Sequence, residues 1–292
     1  MGLDDSFSIR LCNYCGAGFV DPLPTVQQIR DVYDNVFTYQ KEFTHMEEKG
    51  CRRYVSLAEN ALNGKTGRLL DIGCATGAIL KEAVRGGWDT YGVDLSAKLL
   101  KQAALRVPEA KLFNGELGEA NFHSEEFDVV IALNLLEHVL NPKELLEEVN
   151  RILRPGGIFL FKTVRIDSLS ARKRGFNWDH LKWPGHFVWF TKKTLLSMLI
   201  NSGYRIKKFT VTGIPFIPGV KRYMDHRIND SKHESDKTGT GKNPGSSMPL
   251  VKRATKMILK SWMLKRVFAW IIAIFQLGDT VTVLAVKETD EE

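Results

Sequence analysis

Cysteine is scarce in this 292-residue sequence: there are four, and only Cys12 and Cys15 are neighbours, with Cys51 and Cys74 standing alone. Such spacing excludes a disulfide framework and favours a reducing compartment, so a cytoplasmic location is expected. The opening residues, MGLDDSFSIR, hold no basic region followed by an apolar run, and no signal peptide is expected. Long apolar runs are missing too. The uninterrupted apolar part near the C-terminus, Val267 to Ile274 with Phe275, falls far below the ~20 residues of a membrane-spanning helix. No second CxxC pair accompanies Cys12-Asn13-Tyr14-Cys15-Gly16. A closed tetrahedral zinc site needs four ligands, so no metal is expected. Internal repeats are absent, and no DNA- or RNA-binding module accompanies the positive charge, which argues against nucleic acid as a partner.

What is present is an ordinary globular composition, 43% hydrophobic, with a formal charge of +7 and a pI near 9.1. Short runs rich in apolar and β-branched residues (RLLDI, TYGVD, FDVVIAL and GIFLFKTV) read as strands buried on both faces. Helical patterns separate them: AILKEAVRGG, SAKLLKQAALRV and PKELLEEVNRIL, the last with Pro142 in its first turn and a stop at Arg154-Pro155-Gly156-Gly157. This alternation predicts an α/β fold, a doubly wound, mostly parallel sheet with helices on both faces. The chain divides into an N-terminal CxxC segment with a cap helix (1–50), a core (51–212 and 279–287), an insertion (213–278) and an acidic tail (288–292).

The stretch RLLDIGCATGAIL, Arg68 to Leu80, reads as strand, tight turn and helix. At the carboxyl end of such a strand the helix N-terminus offers unpaired N–H groups, and glycine lets the backbone approach a ligand. A dinucleotide site would need G-x-G-x-x-G. Starting that register at Gly73 puts Ala75 and Ala78 where the second and third glycines belong, so the dinucleotide reading fits poorly. Asp94, in Tyr91-Gly92-Val93-Asp94-Leu95, lies one strand-helix-strand step further on, where a carboxylate can accept two hydrogen bonds from ribose hydroxyls. Alone it could equally be a helix N-terminal acid. Asp71, the glycines and the spacing together favour a nucleoside-bearing cofactor.

Asp71-Ile72-Gly73-Cys74-Ala75-Thr76-Gly77 resembles the first motif of class I S-adenosylmethionine-dependent methyltransferases, with Ala75 in place of the middle glycine. Phe127 to Ile131, LNLLEHV, RILRPGG and FLFKTV are similar to the continuation found in small-molecule and sugar O-methyltransferases related to the ubiquinone-biosynthesis group. The resemblance covers about Cys51 to Tyr204, and more weakly the CxxC stretch with Pro22-Leu23-Pro24-Thr25, as a truncated form of a fuller cysteine module. It implies a Rossmann-like, seven-stranded methyltransferase sheet whose last strand, TVTVLAVK, inserts antiparallel beside YRIKKFTVT. It also implies S-adenosylmethionine as cofactor. Asp71 would orient its ammonium, with Gly73, Ala75 and Gly77 around the methionine end, Asp94 on the ribose and Leu95 against the adenine. Glu116 and Leu117 of Asn114-Gly115-Glu116-Leu117 would meet the adenine edge. Asn134 and Tyr33 join the expected cofactor residues, Tyr33 (like Tyr39) either covering the cofactor or simply packing.

Methyl transfer to oxygen needs positioning, water exclusion and a base for the acceptor's proton. Candidates are Glu137, His138 and His186, with His180 nearby in GFNWDHLKWPGHFVWF. In related enzymes the Glu-His pair sits near the acceptor, and in some members it helps hold a divalent metal. Two readings stay open for His138, base or turn packing, and two for His186, base or a ring bonded to a backbone carbonyl. Trp178, Trp183 and Trp189 form either an acceptor wall or a packed cluster. The expected function is methylation on oxygen of a small molecule or glycan that is lipid-linked in one variant of the reading. The rivals are a non-catalytic cofactor-binding protein and a membrane-surface quinone or lipid methyltransferase. The membrane variant rests on Val251 to Leu277, which carries six basic residues and no acidic one and reads either as a peripheral membrane helix or as a packed or dimer-forming one. A monomer or homodimer is expected.

Overall fold

A computed structural model describes residues 7–25, 27–29, 43–181, 185–213 and 277–289. Tyr33, Tyr39, Trp183 and the basic stretch 251–276 lie outside the described residues. In chain order the elements are β1 (Ser8–Leu11), β2 (Gly18–Asp21), α1 (Phe43–Ala61), β3 (Arg68–Ile72), α2 (Ala78–Arg85), β4 (Asp89–Asp94), α3 (Ala97–Arg106), β5 (Lys111–Asn114) and β6 (Phe127–Leu133). They continue with α4 (Pro142–Ile152), β7 (Leu153–Val164), α5 (Leu169–Arg174), β8 (Val188–Trp189), α6 (Lys192–Asn201), β9 (Tyr204–Thr212) and β10 (Thr280–Lys287). Single 3₁₀ turns sit at Leu117–Ala120, Leu136–His138 and Gly175–Asn177.

Seven strands form one sheet in the order β5-β4-β3-β6-β7-β10-β9. β3 pairs in parallel with β4 and β6, and β10 runs antiparallel between β7 and β9. The doubly wound sheet and its antiparallel last strand are as expected from the sequence. Strand order reverses between β3 and β6, the switch point at which a ligand crevice opens. Both faces of the sheet are covered, which is why its strands read as nearly continuous apolar runs. Leu70, Val130, Phe159, Phe161, Val281 and Val283 face one core, where α4 (Leu146, Val149, Ile152) and α6 (Leu195, Leu199) pack. Alternate residues Leu69, Val129, Ile131, Ile158 and Leu160 face the other, against α1 and α2. Each of these fully buried side chains contributes roughly 1.5–3 kcal/mol of burial energy, and together they hold the sheet on which the crevice is built.

Local chemistry starts the helices where expected. Asn141 caps α4 ahead of Pro142, and the Thr191 side chain caps α6, accepting from Thr194 N at 3.0 Å. Three features differ from the sequence reading. Helix α1 runs through the boundary drawn at residue 50, since its apolar face from Cys51 onward packs on the sheet and draws the preceding residues into the same helix. Helix α4 does stop at Ile152, just ahead of Arg154-Pro155-Gly156-Gly157, but β7 begins earlier than the GIFLFKTV run: Leu153 pairs with Phe127 and Ile158 with Val129, and Arg154 to Gly157 bulge between them. The CxxC segment forms a hairpin, β1-β2, that pairs with β8 in a second, three-stranded sheet. Among the described residues no helix is long and apolar enough to cross a membrane.

Candidate active site

At the switch point the turn after β3 is held to β4 by backbone bonds, Gly73 N to Val93 O at 2.8 Å and Cys74 N to the same oxygen at 3.2 Å. Gly73 (φ 71°), Ala75 (φ 46°) and Gly77 (φ 77°) are all left-handed. A side chain on Gly73 would also meet Leu135 Cδ1 at 3.1 Å. Ala75 occupies a region that costs an L-residue roughly 1–2 kcal/mol, so here alanine does what the motif ordinarily assigns to glycine.

Asp94 ends β4 and ties this turn to the next. Its carboxylate accepts from Ala75 N at 2.8 Å and from Ser96 N at 2.8 Å, one bond to each oxygen. Each oxygen keeps a second lone pair, an arrangement suited to a vicinal diol. Asp94 thus orders the start of α3 through Ser96 and keeps acceptor capacity on each oxygen. Asn114 at the end of β5 donates to Asp94 O and Leu95 O at 2.9 and 3.0 Å. Leu117 is buried, while Glu116 is exposed and starts the 3₁₀ turn, its N–H bonded to Glu119 Oε2 at 2.7 Å. Asn134, exposed and left-handed (φ 53°), leads out of β6.

Asp71, only 4% exposed, lies close enough to Asp94 to feel its charge. Burial, reinforced by Asp94, holds the Asp71 carboxyl well above the ordinary range. Burial also raises Asp94, against the opposing effect of the Ser96 and Ala75 N–H groups. Burial and the Asp94 charge both disfavour an ionised Asp71, and a cation bound here would offset both effects. S-adenosylmethionine, with its ammonium, its sulfonium and its ribose diol, fits this donor set, and no pyrophosphate would.

A second cluster stands beyond the ends of β6 and β7. Glu137, 1% exposed, accepts from Thr163 Oγ1 at 2.7 Å, and its backbone carbonyl accepts from Phe187 N at 2.8 Å. His138 Nδ1 bonds Gly185 O, and His186 Nδ1 bonds His180 O at 2.8 Å, an oxygen that also accepts from Trp189 Nε1 at 2.8 Å. The two rings meet edge to face with centroids 4.8 Å apart. Ligand-capable atoms of Glu137, His138 and His186 all lie within 4.8 Å of one another. Burial pushes Glu137 up to about 7, against the opposing effects of its backbone and Thr163 contacts and the Lys162 charge. It lowers His138, against the pull of the Gly185 carbonyl.

The structure thus brings Glu137, His138 and His186 together across 49 residues of sequence, and a backbone-carbonyl bond to each histidine coexists with that grouping. Trp178 and Trp189 are buried among Val20, Val164 and Ala171, so these two are packing. Sequence reasoning missed Thr163, which at 0% exposure holds the Glu137 carboxylate. It also missed the carbonyls of His180 and Gly185, for which residue identity carries no signal.

Residues 43–208 match the family model described as "Methyltransferase domain". The chain is 32% identical over 186 residues to a ubiquinone biosynthesis O-methyltransferase of Psychrobacter arcticus, covering 57% of this chain and 68% of that one. It is 33% identical over 131 residues to the namesake from Psychrobacter cryohalolentis, covering 41% and 50%. Across most such relatives the match spans about half of their length. Among solved structures, a phosphoethanolamine N-methyltransferase of Haemonchus contortus in complex with S-adenosyl-L-methionine is similar in fold, with a TM-score of 0.56, 17% identity and 93% and 62% of the two chains covered. An Archaeoglobus fulgidus methyltransferase gives 0.54 at 17% identity, over 87% and 100%. With its central domain matched and its sheet wound in this way, the protein belongs to the class I S-adenosylmethionine-dependent methyltransferase family.

Proposed function

We propose that the protein methylates a hydroxyl oxygen of a small-molecule or glycan acceptor, with Asp71, Asp94 and the Gly73–Gly77 turn holding S-adenosylmethionine and the Glu137–His138–His186 cluster serving the acceptor. The names of the curated relatives support oxygen as the receiving atom. When bound, the cofactor supplies an activated methyl on a positively charged sulfur, so the protein's work is orientation, water exclusion and removal of one proton. The observation that carries the reading is the pair of Nδ1–carbonyl bonds. A ring nitrogen facing a carbonyl must carry the proton, which leaves Nε2 of each neutral imidazole as the acceptor. Burial keeps His138 neutral to lower pH, and therefore competent as a base.

The test measures S-adenosylhomocysteine formation against a panel of phenolic and sugar hydroxyl acceptors. His186→Ala and His138→Ala are each expected to lower kcat, with the true base losing roughly 10²–10⁴-fold. Cofactor affinity should stay unchanged in both. Full turnover in both variants would remove the histidines from the chemistry. The clustering of Glu137, His138 and His186 supports a second reading, in which these residues hold a divalent cation that polarises the acceptor oxygen. Chelator-sensitive turnover restored by added Mg²⁺ or Zn²⁺ would select it.

A further inference from the structure

From Ile158 to Arg165 every residue is buried except Lys162, which is partly open. The position is not on an edge: in register Lys162 lies between Leu133 of β6 and Thr282 of β10. Side chains alternate along a strand, and residues paired across strands share a face. Lys162 therefore stands on the face of Ile158 and Leu160, which lower down pack against α1 and α2. At Lys162 that packing ends, and Leu133 beside it is also only half-buried. An opening thus lies at the carboxyl ends of β6 and β7, one strand from the switch point between β3 and β6. Lys162 O accepts from Asn134 N at 2.7 Å, which ties the lysine to the loop that carries Glu137 and His138.

An ammonium held partly out of water on an inner strand is costly without a countercharge. Among the described residues the Lys162 side chain has neither an ion pair nor a hydrogen bond. Glu137 feels its charge without being its partner, because the Glu137 carboxylate is held by Thr163 Oγ1 at 2.7 Å, on the opposite face of β7. His138 and His186, as neutral rings, bring no negative charge. We propose that Lys162 receives an anionic group of the acceptor, a carboxylate or phosphate carried on the same molecule as the hydroxyl. The proposal rests on the reading in which the Glu137–His138–His186 cluster serves the acceptor. A lysine is a point charge on a flexible stem and suits either anion. A neutral acceptor of the same shape leaves the ammonium uncompensated, so the site selects by charge as well as by shape.

The test is calorimetric titration of the full-length chain, saturated with S-adenosylhomocysteine, with two matched pairs of hydroxyl compounds. One pair is 3,4-dihydroxybenzoate and 3,4-dihydroxybenzyl alcohol; the other is glucose 6-phosphate and glucose. The anionic member of at least one pair is expected to bind roughly tenfold tighter or more, and the pair that shows the preference identifies the anion. Lys162→Met should abolish the preference and Lys162→Arg should retain most of it, with S-adenosylhomocysteine affinity equal in all three proteins. Equal binding of charged and neutral members by wild type, or a preference that survives in Lys162→Met, would overturn the proposal. So would a loss of S-adenosylhomocysteine affinity in Lys162→Met, which would assign the ammonium to the cofactor. Methyl transfer to the same compounds separates this proposal from the reading beneath it. A Lys162-dependent anion preference with no methylated hydroxyl supports the lysine and counts against oxygen as the receiving atom.

Discussion

The sharpest test of the cofactor site is Asp94, because its carboxylate has two separable duties. It accepts the Ala75 and Ser96 N–H groups at 2.8 Å each, and we propose that it also accepts two hydroxyls of the cofactor ribose. Hydrogen bonds to a charged acceptor contribute about 1.5–3 kcal/mol each, so losing both ribose bonds would weaken binding by about 3–6 kcal/mol, or roughly 10²–10⁴-fold. Losing the backbone bonds as well leaves two N–H groups short of a partner, at about 1–3 kcal/mol each, and this cost falls on the fold. Asp94→Ala should therefore lower both the unfolding free energy and the affinity. Asp94→Asn keeps one acceptor oxygen and should lose less of each. Calorimetric titration with S-adenosylhomocysteine and with its 2′-deoxy analogue, on wild type and Asp94→Asn, closes a double-mutant cycle. A coupling of 1 kcal/mol or more between the carboxylate and the 2′-hydroxyl is expected. Strict additivity would mean that Asp94 only pins the turn, and the ribose assignment would fail.

Two further outcomes follow from single residues. Ala75→Gly relieves a left-handed alanine (φ 46°) but loosens the unfolded chain, so a net gain of up to about 1 kcal/mol in urea unfolding is expected, with cofactor affinity intact. A destabilised glycine variant would refute the strain. Glu137, raised from an ordinary 4.5 to about 7, binds more protons in the folded state, so its contribution is full below pH 4.5 and is lost as pH rises through 7. Glu137→Gln lacks that loss. Relative to wild type it should gain about 3 kcal/mol between those limits, at 1.36 kcal/mol per pH unit. Parallel stability–pH profiles would sink that expectation, and added divalent metal should flatten the wild-type slope if the cluster binds it.

Much of the molecule was legible in the sequence because the relevant physics is local. Apolar runs of strand length separated by capped amphipathic helices dictate a doubly wound sheet, and Thr191 and Asn141 cap their helices through their own side chains. Gly73, Gly77 and Asp94 could be read because turn geometry and strand-helix-strand spacing place them at one end of one sheet. The sequence could not show that Ala75 would itself be left-handed, or that Asp94 would bind its amide, since both depend on two loops meeting. Nor could it choose among the histidines. His138 and His186 take their orientations from the carbonyls of Gly185 and His180, and Glu137 from Thr163 on a neighbouring strand. The CxxC segment shows the same division. Its spacing marked a tight turn that lacks a second ligand pair, but only the tertiary structure set it against β8 by backbone pairing and against the Thr191 hydroxyl that caps α6, contacts that local sequence does not encode.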